Sequence, residues 1–197
     1  MGKTLVKILS SYIDTIKTEK IKNFVVEILD MCLDIHAERP ASSSGKYHPL
    51  CDLGPGGLVR HSILTAKIAD IMCNAFNDGS PKMQLERDII FASALIHDFH
   101  KYETGISHTL KDHAIRMADV IRSMNVDNDP DIAKIADNVE SHMSRFGGNA
   151  ARPKTIGQYI VSFADLVSAN RELPIMMNEF TKQAEAELNN ETLNKQD

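Results

Sequence analysis

Apolar residues recur at three- and four-residue intervals along nearly the whole chain, and no segment alternates apolar with polar residues. Such a chain can build amphipathic helices but has no half-buried strand to offer a sheet. Leu5, Ile8, Leu9, Tyr12, Ile13 and Ile16 keep this spacing, as do Phe24, Val25, Ile28, Leu29, Cys32 and Leu33. A turn-rich loop follows Pro40. Further helices are then expected over about Leu58–Phe76, from Pro81 through Leu95, and over Thr109–Met124, Pro130–Ser144 and Ile156–Ala169, with a last one from Pro174. The expectation is an all-α fold, one domain of seven or eight helices, which 197 residues can close around a single core. Residues 1–39 read as helices packing on the core, 40–172 as the core, and 173–197 as a C-terminal helix with an acidic tail that frays.

Charge and cysteine content narrow the classes of partner. A net charge of −5 and a sequence pI near 5.9 disfavour long duplex nucleic acid and anionic membranes. Cys32, Cys51 and Cys73 form an odd set without CxxC spacing, no apolar run is long enough for a membrane span, and the N-terminus lacks a signal-peptide pattern. These features read as cytoplasmic. The apolar faces of the first two helices could serve as a homodimer surface.

Several polar residues fall on stripes that should be buried. His61 shares a face with Leu64 and Ile68. His97 and Asp98 follow Ile90 and Ala94, His113 precedes Met117 and Val120, His142 follows Ile135 and Val139, and Asp165 lies in an apolar helix after Val161. A lone buried carboxylate costs several kcal/mol or takes up a proton. One divalent cation site fed by five helices explains two inward carboxylates and four inward histidines together, since such ions take nitrogen and oxygen ligands. His36, His48, His100 and His108 lie in loops or near helix ends and read as ordinary hydrogen-bonded or surface histidines, although Tyr47 and His48 could wall a substrate. Gly54-Pro-Gly-Gly57 matches no phosphate-binding loop and reads as a turn into the His61 helix.

The ordered series Gly56-Gly57-Leu58-Val-Arg-His61, Leu95-Ile-His-Asp-Phe-His-Lys101, His113, Glu140-Ser-His142 and Ser162-Phe-Ala-Asp165 resembles the HD superfamily of metal-dependent phosphohydrolases over about Pro40–Arg171. The resemblance implies an HD-type helical core with His61, His97, Asp98 and Asp165 around a first ion. It also implies His113 and His142 around a second, with Asp98 bridging. One or two divalent ions are expected, with Mn, Fe, Co, Ni and Zn all suited to the donors. Where doubly histidine-rich members carry a second histidine beside position 142, this chain has Ser141.

The expected activity is hydrolysis of a phosphoester in a small nucleotide or related metabolite, with Asp98 and Lys101 as the catalytic pair. Candidate substrate contacts are His48, Arg145, Lys154 and Arg171, with Arg152 nearby; guanidinium forks suit phosphate oxygens. The alternatives are 3′-to-5′ exonuclease or phosphodiesterase action on short single-stranded oligonucleotides, and di-iron oxygenase chemistry on the same ligand set.

Overall fold

The structure, a computed structural model, describes residues 3–143 and 151–171. Among them are eight helices and no strand: α1 Lys3–Ile8, α2 Ser10–Ile13, α3 Glu19–Met31, α4 Gly57–Asn74, α5 Pro81–Ile96, α6 His113–Met124, α7 Pro130–Ser141 and α8 Ile156–Ser168. The expected helices at Pro174 and the acidic tail lie outside the described residues. No described helix is long and apolar enough to cross a membrane, and the cysteines form no disulfide.

Helix starts follow their local chemistry. Ser80 caps α5 by accepting from the Met83 amide at 3.2 Å, and Asp129 caps α7 by accepting from the Asp131 amide at 2.8 Å, each with proline in the first turn. Thr155 and Gln158 form a reciprocal capping box on α8. Where the spacing predicts α6 from Thr109, the helix begins only at His113. The Leu110 amide donates to the Lys101 carbonyl at 2.9 Å, and the Leu110 carbonyl accepts from the His113 ring, so this stretch is a turn. Likewise α7 stops at Ser141 instead of Ser144.

Helix α4 packs on α5 and α8, and α7 packs on α5, α6 and α8, so these five helices enclose the main core. The N-terminal helices join the same core through α3 against α5, with Leu5, Leu9, Ile13, Ile21, Val25 and Ile28 all buried. The chain itself covers these apolar residues. Asp88 of α5, fully buried, fastens the connection. Its Oδ2 accepts from the amides of Lys17 at 3.0 Å and Thr18 at 2.8 Å, and its Oδ1 accepts from Gln84 and Arg87 at 2.9 Å each. Arg87 in turn donates to Asp70 Oδ1 and the Thr15 carbonyl.

The loop before α4 is drawn tightly over the start of that helix. The Ala41 amide donates to the Asp52 carbonyl and the Leu58 amide to the Arg39 carbonyl, both at 2.9 Å. Gly56 takes φ +73° at the helix N-cap, a conformation that favours glycine. At Gly57 an added Cβ would stand 2.0 Å from the Asp52 carbonyl oxygen, so the loop backbone occupies the place of a side chain. The glycines therefore serve a close backbone approach, in keeping with the turn reading of this segment.

Candidate metal centre

Five elements deliver polar side chains to one buried point. His61 comes from the second turn of α4, His97 and Asp98 from the C-terminal end of α5, His113 from the first position of α6, His142 from the C-cap of α7, and Asp165 from α8. All are buried except Asp165, whose side chain keeps 14% of its exposure. Three of the imidazoles are aimed in one way. Nδ1 of His97, His113 and His142 each donates to the carbonyl three residues earlier, on Ala94 at 2.7 Å, Leu110 at 2.6 Å and Val139 at 2.6 Å. A carbonyl can only accept, so these contacts fix the Nδ1–H tautomer and turn Nε2 inward, as in histidines that ligate metals. His61 Nδ1 lies 3.3 Å from Ser168 Oγ, which also meets Thr65 Oγ1 at 2.8 Å.

Two sets of inward atoms result. In the first, His61 Nε2, His97 Nε2, Asp98 Oδ2 and Asp165 Oδ1 stand 3.0–3.5 Å apart in every measured pair. Zinc–nitrogen and zinc–oxygen bonds of about 2.0–2.2 Å put neighbouring ligands roughly 3.3 Å apart, as these measured pairs are; by mutual approach, His61, His97 and Asp98 form one triad and His97, His142 and Asp165 another. In the second, Asp98 Oδ1 lies 3.0 Å from His113 Nε2 and 3.6 Å from His142 Nε2. These three buried atoms have no hydrogen-bond partner. The short His113–Asp98 approach is not a hydrogen bond in this tautomer, because a bare ring nitrogen there faces a carboxylate oxygen. Acceptors converging on one point suit a cation between them. The donor sets thus fit divalent ions, and Asp98 reaches both.

Charge compensation in the metal-free chain takes another form. Burial opposes ionisation of Asp98 and Asp165, yet Asp98 is held well below the usual carboxylate range by Lys101 and His97, and Asp165 by His61 and His97. Burial also works against a charged His97, but Asp98 and Asp165 raise it to about 10. His97 therefore carries a proton where a ligand must offer a lone pair. Because its folded pKa exceeds its ordinary 6.5, the stabilisation it contributes is complete below about pH 6.5 and lost as pH rises through about 10. The metal-free protein should lose melting temperature between pH 7 and pH 10. Saturating metal should remove most of that decline, since the ion replaces the proton. Calorimetric scans with chelator and with metal check this; equal declines would overturn it.

The other predicted contacts divide. Lys101 is buried and places Nζ 2.6 Å from Asp98 Oδ2, so it is committed to the carboxylate, with donors left over for a substrate oxygen. Arg145 lies outside the described residues. Arg152, Lys154 and Arg171 are exposed and make no ion pair among the described residues. His36 bonds to the Leu33 and Tyr102 carbonyls, as an ordinary core histidine. His48 departs from the loop-histidine reading. It is buried with its ring edge-on to His61 at 4.6 Å between centroids, and burial together with His61 pushes it down to about 2. Sequence reasoning missed its neighbour Asp52, which is also buried and which burial raises to about 6. Asp52 sits in a short 3₁₀ turn, where no periodicity marks the inward side.

A cavity of about 410 Å³ opens beside the centre, with His142 and Asp165 in its wall. Met72, Phe76, Ile156, Tyr159 and Phe163 line the rest, and no lysine or arginine is among the described residues lining it.

The HD domain family matches residues 58–170, more than half of the chain, and the span takes in all five helices that furnish the centre. The protein belongs to the HD domain family, a superfamily of metal-dependent phosphohydrolases. No curated protein and no solved structure matches the chain.

Proposed function

We propose that the protein hydrolyses a phosphoester of a small nucleotide or related metabolite, with two divalent ions held by the two donor sets. The observation that carries this reading is the convergence of Asp98 Oδ1, His113 Nε2 and His142 Nε2, buried and without partners, beside the closely spaced donors of His61, His97, Asp98 and Asp165. Bound there, divalent ions activate water and polarise the phosphoryl group. Asp98 spans both sets, so its carboxylate orients the attacking water and stands where the water's proton can be taken up. Lys101 keeps that carboxylate ionised and in place, and its remaining N–H donors face the substrate phosphate. Water oxygen joins phosphorus, the ester P–O bond breaks, and the alcohol leaves with a proton. The apolar cavity supports a small substrate, because an uncharged base or similar group fits its lining and a polyanionic strand does not.

The test is release of phosphate from nucleoside mono-, di- and triphosphates, and of nucleotides from short oligonucleotides, with Mn²⁺, in air and under nitrogen. Hydrolysis of a mononucleotide, unaffected by oxygen, is expected. His113→Ala should lose one ion per chain and about 100-fold or more in kcat, as befits several kcal/mol of lost charge stabilisation. Turnover confined to oligonucleotides, or turnover that requires oxygen, would overturn the assignment.

A further inference from the structure

Seven buried side-chain nitrogen and oxygen atoms among the described residues lack a hydrogen-bond partner. Three of them form the second donor set. Two more, His48 Nδ1 and Asp52 Oδ2, occur together on the loop before α4. His48 is 6% exposed and Asp52 is 2% exposed. Ligand atoms of His48, Asp52 and His61 lie within 4.8 Å of one another.

A buried carboxylate normally finds a cationic or N–H partner, because leaving it bare costs more than any hydrogen bond returns. The Cys51 side chain bonds to the Asp52 carboxylate, yet Oδ2 stays without a partner, and the Arg60 guanidinium does not supply one. Arg60 donates through Nε and Nη2 to the Cys51 carbonyl at 3.0 and 2.6 Å, and through Nη1 to the Pro55 carbonyl at 3.0 Å. The loop cannot relax to let Asp52 reach water, since Ala41 and Gly57 clamp its backbone on α4. The pair is thus held, by rigid backbone, as a nitrogen and an oxygen acceptor sharing one small space.

We propose that His48 and Asp52 hold a further divalent cation beside His61, next to the metal centre. His61 Nε2 belongs to the first donor set and has a single lone pair, so His48 and Asp52 are the protein ligands that define the new position. One nitrogen and one oxygen suit a first-row ion such as Mn²⁺ or Zn²⁺, with water or substrate oxygen completing the shell. The proposal depends on the metal-centre reading only for the count of other ions.

The experiment is ion content per full-length chain after saturation with MnCl₂ and removal of free metal. It compares wild type, His48→Gln, Asp52→Asn, His113→Ala and the His48→Gln/His113→Ala double variant. Three ions are expected in wild type, two in each single variant and one in the double. Circular dichroism of the metal-free forms selects the variants that fold; His48→Gln and Asp52→Asn change distant backbone least and give two independent tests. Two ions in wild type with no loss in either loop variant would overturn the proposal and leave a water between the pair. A loss in His48→Gln but none in His113→Ala would instead overturn the second position of the metal centre while supporting this one.

Discussion

Asp98→Asn should abolish metal loading at both positions and lower kcat by at least about 1,000-fold, on the order of 4 kcal/mol of lost transition-state stabilisation. Asp98 is the one carboxylate whose two oxygens face different donor sets, Oδ2 toward His61 and His97 and Oδ1 toward His113 and His142. An amide has the same shape but offers only one acceptor and no charge. It also leaves the buried Lys101 ammonium, now 2.6 Å from Oδ2, without a counter-ion. Breaking a buried pair by removing one partner costs about 3–5 kcal/mol, so the metal-free variant should melt markedly earlier than wild type. Metal analysis, steady-state kinetics and thermal denaturation read the three effects. A variant that binds both ions, or stays within tenfold of wild-type kcat, would remove Asp98 from the bridging role.

Gly57→Ala is expected to be the most damaging small substitution away from the centre. The new methyl would lie 2.0 Å from the Asp52 carbonyl oxygen, 2.6 Å from its carbon and 3.1 Å from the Ala41 amide nitrogen. All three are backbone atoms, so no rotamer change relieves the clash, and the loop carrying His48 and Asp52 must lift off α4. Overpacking of this kind costs on the order of 3 kcal/mol, a fall of about 10 °C in melting temperature for a domain of this size. Gly54→Ala is the control. Nothing lies within 4 Å of its added Cβ, and a change within about 0.5 kcal/mol is expected. Comparable melting of the two variants would show that the loop yields more easily than its contacts imply.

How much of the centre was legible from sequence depended on the element each residue came from. His61 and Asp165 sit within helices, where a 3.6-residue period states which side faces inward, and the polar residue on the apolar stripe stands out. His97, His113 and His142 were found by the same argument, although they occupy helix ends. Their inward aim comes from the carbonyl three residues back, which the last or first turn leaves available. Asp52 and His48 belong to a loop, where direction is set by tertiary contacts with α4. Its loop position left His48 readable as an ordinary histidine or a substrate contact, and gave no reason to single out Asp52.

The sequence by itself determined the all-helical class, the family and the six inward side chains, because helical periodicity and ordered motifs are local properties. Only the tertiary structure decided that Asp98 Oδ2 faces His61 and His97 while its Oδ1 faces His113 and His142. It also decided that Lys101 stands on that carboxylate, and that the N-terminal apolar residues join the core. Those outcomes depend on which ring nitrogen turns inward and which helix covers which face, and such relations between distant segments have no period along the chain.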